Sequence, residues 1–314
     1  MMRSRGTEAA HLSTSTRMRS KLFVPASRPE LFEKALNGAA DALSFDLEDA
    51  VAETRKAEAR RALGRFLQSL PAAPGKTIVV RVNGRHTPHF RADLEAIVGP
   101  AVDLINLPKA TSAEDVRACV AALAEVEQAR GLEPMAILPN IEDPRALGLA
   151  AEIAGASPRV VGLQAGWSDL VASLGMDRYD ATAIGHLQLQ IRVAAGAAGV
   201  WAYDGAWANI KDPDGYRREA EAARRLGYLG KTAIHPTQVP IANDVFRPSE
   251  AEIGHALGVV EAARDAAEAG VGAFTVAGRM VDAPIVRRAK TVLALARELG
   301  LAAGEPKVVS DYRR

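Results

Sequence analysis

Hydrophobic and polar positions follow one another along the chain in a repeating unit. A short run of apolar and β-branched residues ends in polar residues, and an amphipathic stretch rich in Ala and Leu comes next. Continuous apolar strands that alternate with helices indicate a parallel sheet buried on both faces. The apolar runs begin near Lys21, Ala42, Thr77, Asp103, Met135, Arg159, Gly199 and Lys231.

The number of these units predicts how the sheet closes. Eight strand–helix units within the first 245 residues fit a (β/α)8 TIM barrel better than an open doubly wound sheet. The first apolar run is not followed by Gly-x-Gly-x-x-Gly, which argues against a dinucleotide-binding fold.

Helices are predicted between the strands, and several of their first residues can be recognised. A capping side chain that stands before a proline is typical of a helix start. The pairs with this pattern are Thr87-Pro88, Asp143-Pro144 and Asp212-Pro213. The predicted helices include 56–69, 112–130, 143–154 and 214–226.

The chain continues beyond the eighth predicted strand. Residues 249–268 have a helical pattern, a Gly-rich turn (GVGAFTVAGR) follows, and a further helix is predicted over 283–299. A barrel end cap does not need this length, so we expect a C-terminal helical arm or lid over 246–314. The Ser-, Thr- and Arg-rich residues 1–18 are predicted to be a disordered N-terminal extension, which leaves 19–245 for the barrel.

Composition and charge exclude several classes of protein. The chain has 314 residues, of which 48% are hydrophobic and 25% charged, so it can form a sizeable soluble core. A net charge of +1 gives no electrostatic footprint for nucleic acid or for an anionic membrane. No apolar run reaches the roughly 18 residues that a membrane span requires.

The cysteine content and the first residues bear on location. Cys119 is the only cysteine, so no intrachain disulfide can form, which suits a reducing compartment. Its Ala- and Val-rich surroundings predict a buried apolar residue rather than a catalytic thiol. Residues 1–18 lack the apolar stretch of a secretory signal. We therefore expect a cytoplasmic protein, and an organelle transit peptide is the alternative interpretation of these first residues.

Polar side chains collect at the ends of the predicted strands, which in a (β/α)8 barrel meet at the mouth that holds the active site. Carboxylates from several strands would repel one another unless a cation lay among them. Hard oxygen ligands without a Cys or His cluster favour Mg²⁺ over zinc. The strand-end residues are Ser27, Arg28, Asp46, Glu48, Asp49, Arg81, Asn83, Lys109, Asn140, Glu142, Gln164, Ser168, Asp169, Asp204 and His235.

Some of these residues also have a plainer structural interpretation. Asp143 is better explained as a helix cap than as a metal ligand, and Asp169 is open to both readings. One member of the trio Asp46, Glu48 and Asp49 is expected to support metal-bound water or to orient Arg81, and capping of the next helix is the alternative for Glu48 or Asp49. Lys109 is either a phosphate contact or a surface lysine.

The motifs resemble those of a known family. The segment Arg19–Ala52 (RSKLFVPASRPELFEKALNGAADALSFDLEDAVA) is similar to the opening of the citrate lyase beta-subunit-like branch of the HpcH/HpaI aldolases. The later segments VVRVN, LPNIE, SPRVVGL, GKTAIHPTQ and GRMVDAP follow in the family's order, so the resemblance spans 19–299. It implies a TIM barrel that assembles as a trimer or hexamer and binds an acyl-CoA substrate and Mg²⁺.

The resemblance also implies a set of site residues. Glu142 and Asp169 match the two Mg²⁺ ligands, and Arg81 matches the arginine at the substrate carbonyl. Asp282 matches an acid/base aspartate that the C-terminal arm inserts into the neighbouring subunit's site. The positions that match substrate or CoA contacts are Phe23, Arg28, Lys34, Ile234 and His235, where His235 also has a turn-ordering interpretation.

The implied function is Mg²⁺-dependent cleavage of a 3-hydroxy-acyl-CoA of the citryl-, malyl- or citramalyl-CoA type to acetyl-CoA and a keto acid. The alternatives are a thioesterase on the same substrates and a non-catalytic CoA-binding subunit, and an acyl-carrier partner is an open question. Two positions depart from the family pattern. The usual Gly-Ala-Glu-Asp is Gly166-Trp167-Ser168-Asp169 here, and the usual Pro-Gly is Pro25-Ala26, so we expect an altered pocket.

Overall fold

The computed structural model describes residues 18–301. The predicted N-terminal extension therefore lies outside the described residues, except for Met18. The chain divides into two compact units between Phe246 and Arg247.

The first unit is a closed barrel of eight parallel strands, in which each strand pairs with its sequence neighbours and the first pairs with the eighth. The predicted TIM barrel is thus confirmed. The strands are β1 (Ser20–Pro25), β2 (Ala42–Asp46), β3 (Thr77–Arg81), β4 (Leu104–Leu107), β5 (Ala136–Ile141), β6 (Gly162–Ala165), β7 (Trp201–Asp204) and β8 (Gly230–Ala233).

Helices surround the barrel. They are α1 (Phe32–Leu36), α2 (Lys56–Ser69), α3 (Phe90–Ile97), α4 (Ala113–Arg130), α5 (Pro144–Gly148), α6 (Ala150–Ala154), α7 (Trp167–Ser173), α8 (Ala181–Ala197), α9 (Pro213–Arg225) and α10 (Val239–Val245). The helix predicted over 143–154 is thus two short helices that meet at Leu149.

Two of the three predicted helix caps are confirmed. The side chains of Asp143 and Asp212 accept hydrogen bonds from backbone N–H groups in the first turns of α5 and α9. The prediction for Thr87-Pro88 is wrong, because α3 begins only at Phe90. The Thr87 hydroxyl instead donates to the carbonyl of Gly84 at 2.8 Å, so this pair closes a turn before the helix.

Side-chain polarity changes along the barrel interior. One interior cluster is apolar and consists of Met18, Ala42, Val79, Leu104, Leu138 and Tyr203. Two residues further along β2, β4 and β5, the positions Ser44, Asn106 and Asn140 are buried and polar. Lys21 on β1, Gln164 on β6 and Thr232 on β8 are also buried and polar. The chemistry is therefore confined to the carboxyl ends of the strands.

The second unit has its own apolar cluster, which includes Ile253, Val259, Val281 and Leu293. Helices α11 (Glu250–Glu268) and α12 (Ala283–Glu298) pack together, and strands β9 (Phe274–Val276) and β10 (Arg279–Val281) form an antiparallel hairpin between them in sequence.

The hairpin replaces the Gly-rich turn that the sequence predicts. Ala277 and Gly278 connect its strands with φ of 47° and 74°, as in the turns that suit the twist of a two-residue hairpin. Across residues 18–301, no helix is both long and apolar enough for a membrane span.

Closure of the barrel at β8 predicts a strong effect of Gly230→Ala. A Cβ at Gly230 would lie 1.8 Å from the backbone oxygen of Met18, so the β1–β8 pairing would have to shift. We expect a loss of stability at or above about 3 kcal/mol, the upper range for overpacking, in chemical denaturation.

Gly254→Ala is the matched control, because a Cβ there meets nothing within 4 Å inside helix α11. That substitution should raise stability by about 0.5–1 kcal/mol. Equal effects of the two substitutions would contradict the close approach at Gly230.

Candidate active site at the barrel mouth

A pocket of about 220 Å³ opens at the carboxyl ends of the strands. Four of the residues that the sequence predicts as site residues line it together, namely Phe23, Arg81, Glu142 and Asp169. A larger cavity of about 370 Å³ lies between α2, α3 and α4, but its lining is mainly apolar and contains no carboxylate. The mouth pocket is therefore the candidate site.

Arg81 is held in place by carboxylates. Its Nε and Nη2 atoms donate to the two oxygens of Asp46 at 2.8 and 2.7 Å, and Nη1 lies 3.1 Å from Glu48. Burial alone would lower the pKa of Arg81, but the hydrogen bonds and charges of Asp46 and Glu48 outweigh it and raise that pKa. Arg81 is thus a permanent cation whose orientation is set by Asp46, and its guanidinium lies 4.9 Å from the ring centre of Phe23.

Lys109 offsets the remaining negative charge on this side of the mouth. Its Nζ lies 2.7 Å from Glu48 and 3.4 Å from Asp49, and its side chain is 54% exposed, so it is a surface lysine that forms ion pairs with both acids. Burial raises the pKa of Glu48, while the charges of Arg81 and Lys109 lower it. Glu48 and Asp49 do not cap a helix, because the 3-10 turn Glu53–Arg55 and the following α2 both begin without a side-chain cap.

Glu142 follows β5 and is 6% exposed. The backbone N–H of Lys109 donates to its Oε1 at 2.6 Å, and the side-chain amide of Asn140 donates to its Oε2 at 3.0 Å. Lys109 has a φ of 52°, an uncommon conformation for a residue with a side chain. Burial, followed by the charges of Glu48 and Asp169, raises the pKa of Glu142 to about 7.

Gly166 allows the loop after β6 to approach Glu142. A Cβ at Gly166 would lie 2.4 Å from the Cβ of Glu142 and 2.6 Å from its Oε2. Asp169 lies in the first turn of α7, where it is exposed. Within residues 18–301 its carboxylate makes no hydrogen bond or ion pair, and its charge acts on Glu142.

The pair Glu142 and Asp169 fits a hard divalent cation. Both side chains face the same pocket, each Glu142 oxygen receives one hydrogen bond and keeps further acceptor capacity, and Asp169 is unpaired. In the part of the chain that the structure describes, no group of three His, Cys, Asp or Glu residues could hold a metal ion. Mg²⁺ needs only one or two protein carboxylates and keeps its other positions for water and substrate.

Lys21 is a feature of the site that the sequence interpretation missed. It lies one inward position below Phe23, is 1% exposed, and its Nζ has no hydrogen-bond partner among the described residues. That atom lies 4.8 Å from the ring centre of Phe23. Burial, followed by the charge of Arg81, lowers the pKa of Lys21 to about 7. A lysine two residues before Phe23 in an apolar strand was the available signal.

Four other predicted contacts do not line this pocket. Arg28 is exposed and pairs with Glu30, and Lys34 is exposed on α1. His235 orders its own turn, since its Nδ1 accepts the N–H of Thr237. Ile234 precedes it, and its N–H donates to a side-chain oxygen of the same turn. Their substrate roles stay predictions.

Asp282 belongs to the second unit and is the N-cap of α12. Its side chain accepts from the N–H of Ile285 at 3.4 Å. The predicted acid/base role of Asp282 across a subunit interface stays a prediction.

Known proteins of one family are similar to this chain. Residues 19–236 match the model of the HpcH/HpaI aldolase/citrate lyase family. The chain is 37% identical over 291 residues to the citrate lyase subunit beta of Escherichia coli strain K12, an alignment that covers 92% of this chain and 96% of that protein. It is 35% identical over 301 residues to an L-malyl-CoA/beta-methylmalyl-CoA lyase of Cereibacter sphaeroides, covering 88% and 93%.

The structure is also similar to solved structures. One is the crystal structure of protein CitE from Mycobacterium tuberculosis in complex with magnesium, acetoacetate and coenzyme A. The TM-score is 0.72 at 36% identity, and the match covers 90% of this chain and 99% of that one.

The raised pKa of Glu142 predicts a pH dependence of Mg²⁺ binding. Because a carboxylate must lose its proton to bind a metal, Mg²⁺ affinity should be constant well above pH 7 and should fall below the pKa of about 7. The expected decrease is about tenfold per pH unit, and calorimetry of the metal-free protein can measure it.

The control is Asp169→Asn. That change should weaken binding and move the midpoint to lower pH, because the charge of Asp169 contributes to the raised pKa of Glu142. A Mg²⁺ affinity that does not vary from about pH 6 to pH 8 would rule out Glu142 as a ligand with this pKa.

Proposed function

The chain belongs to the HpcH/HpaI aldolase/citrate lyase family, and from this premise we propose that it is a Mg²⁺-dependent carbon–carbon lyase that acts on a 3-hydroxy-acyl-CoA. The observation that carries the proposal is the convergence of Glu142, Asp169 and Arg81 in one pocket. Two carboxylates free for a cation and one oriented guanidinium are the groups that such a cleavage requires.

Glu142 and Asp169 would hold the metal ion. When bound, Mg²⁺ supplies Lewis-acid polarisation of the oxygens of the keto acid half of the substrate. The support from relatives is that the similar CitE structure contains magnesium together with acetoacetate and coenzyme A. The remaining groups of this chain then position the thioester half.

The proposed cleavage is a retro-Claisen reaction. A base removes the proton of the 3-hydroxyl group, the oxygen forms the carbonyl of the keto acid, and the C–C bond breaks with its electron pair on the α-carbon of the thioester. Asp282 of a neighbouring copy in a trimer or hexamer is the proposed base. A proton then returns to the α-carbon and gives acetyl-CoA, with glyoxylate, pyruvate or oxaloacetate as the second product.

Arg81 is the proposed stabiliser of the thioester enolate. Its guanidinium is already fixed by two hydrogen bonds to Asp46, so it would not have to reorganise as negative charge develops on the thioester oxygen. The ring of Phe23 covers it at the pocket wall. We further propose that Arg28, Lys34, Ile234 and His235 contact the substrate or its CoA portion.

The acyl group is tested by a substrate panel. Citryl-, malyl- and citramalyl-CoA, each incubated with Mg²⁺, should give acetyl-CoA and the corresponding keto acid for at least one of them. Free CoA and an intact acyl acid would instead indicate a thioesterase. Tight acyl-CoA binding without turnover would indicate a non-catalytic subunit.

The role of Arg81 is tested with the substrate that the panel identifies. Arg81→Lys keeps the positive charge beside Asp46 but loses the planar pair of donors, and Arg81→Ala removes both. We expect turnover to fall by about 10²–10³ for the alanine variant, as for the loss of one oxyanion donor, with a substantial part of that loss also in the lysine variant.

Arg85→Ala is the matched control, because Arg85 pairs with Asp115 and does not line the pocket. Circular dichroism confirms that each variant is folded. Near-normal cleavage by folded Arg81→Ala protein would show that Arg81 is not the enolate partner.

A further inference from the structure

A buried network of charged residues connects β7, β8 and α9 with the loop between α7 and α8. Lys231 Nζ is 2.5 Å from Asp204 and 2.7 Å from Glu219, and Arg178 binds both oxygens of Glu219 at 2.7 and 2.9 Å. Asp204 and Lys231 are 0% and 1% exposed. The carboxylates of Asp204 and Glu219 are thus offset by the cations Lys231 and Arg178. A buried network in which every charge is paired holds its members in fixed positions, and we call these four residues the anchor.

Trp167 connects this anchor to the pocket. Its indole N–H donates to Asp204 at 2.8 Å, and the side-chain amide of Gln188 donates to the same oxygen at 3.2 Å. Trp167 is 1% exposed and is the first residue of α7. A Cβ at Gly205 would lie 2.4 Å from the indole, so the ring is confined between Asp204 and the chain at Gly205.

The start of α7 is held by the backbone as well as by Trp167, because the N–H of Gly166 donates to the carbonyl of Ile141 at 2.9 Å. The helix is short and its N-cap residue, Gly166, offers no side-chain cap. On one side Gly166 abuts Glu142, and on the other side Trp167 is bonded to Asp204. Asp169 comes two residues after Trp167, so its place relative to Glu142 depends on the backbone contacts of Gly166 on one side and on the hydrogen bond of Trp167 on the other.

We propose that Trp167 and Asp204 are positioning residues that set the separation of the Glu142 and Asp169 carboxylates, and thereby the affinity of the mouth for Mg²⁺. The inference rests on the metal site of the proposed function and extends it to residues that the metal does not touch. Outer hydrogen-bond partners of metal ligands commonly contribute about 10- to 100-fold to metal affinity.

The test compares two conservative substitutions in the full chain. Trp167→Phe keeps an aromatic ring but removes the N–H that binds Asp204. Trp207→Phe is the matched control, because Trp207 is 8% exposed and its indole nitrogen has no hydrogen-bond partner within residues 18–301. Calorimetry with Mg²⁺ alone gives the affinity independently of activity, and thermal unfolding gives the stability of each variant.

We expect Trp167→Phe to weaken Mg²⁺ binding by about tenfold or more and Trp207→Phe to leave it unchanged. Gly205→Ala is a second route, because the added methyl group displaces the indole while Trp167 itself is intact; it should weaken binding in the same direction. If Trp167→Phe does not fold, the Mg²⁺ affinity of Gly205→Ala tests whether the position of the Trp167 indole controls metal binding.

Two negative results have different meanings. If the wild type binds Mg²⁺ and both Trp167→Phe and Gly205→Ala bind it equally well, the hydrogen bond to Asp204 is only structural and the inference is wrong, while the proposed function stands. If the wild type itself binds no Mg²⁺, the metal site of the proposed function fails, and the positioning role fails with it.

Discussion

Repulsion among the carboxylates at the barrel mouth is the constraint on which the rest of the site depends. Asp46 and Glu48 are buried, and their charges are offset by Arg81 and Lys109. Within residues 18–301, Glu142 and Asp169 form no ion pair, although the charge of Arg81 acts on Glu142 from a distance. Burial, followed by the charges of Glu48 and Asp169, raises the pKa of Glu142 to about 7, the direction expected for a buried carboxyl group beside other carboxylates. A divalent cation between them would remove this cost.

The backbone around the mouth holds this uneven charge distribution in place. Lys109 adopts a left-handed conformation and directs its N–H to Glu142. Gly166 leaves space for the Glu142 carboxylate, and Trp167 ties the following helix to Asp204. Towards the amino ends of the strands the barrel interior becomes apolar. The charged groups of the site therefore lie together at the carboxyl ends of the strands.

Much of the fold could be predicted because its signals are local. Apolar runs define the strands, and an Asp before a Pro defines the starts of α5 and α9, since the cap lies within three residues of the groups it binds. Thr87-Pro88 has the same local pattern, yet the Thr87 hydroxyl binds Gly84. The local pattern could not show which backbone group would compete for that hydroxyl.

The missed features of the site are all contacts between residues that are far apart in sequence. The N–H of Lys109 meets a side chain on the next strand, Gly166 meets Glu142, and Trp167 meets Asp204. Lys21 was visible in the sequence, but only the folded chain shows that its Nζ has no hydrogen-bond partner within residues 18–301 and lies over the ring of Phe23. Such facts follow from tertiary packing and leave no pattern within one segment.

The most direct measurement is a crystal structure of the protein soaked with Mn²⁺, which prefers the same hard oxygen ligands as Mg²⁺ and gives an anomalous signal. We expect a single strong peak at the mouth, about 2.1 Å from carboxylate oxygens of Glu142 and Asp169, with Arg81 still bound to Asp46. A peak coordinated by Asp46 or Glu48 instead, or no peak between Glu142 and Asp169, would contradict the division of the mouth into an arginine-neutralised side and a metal-binding side.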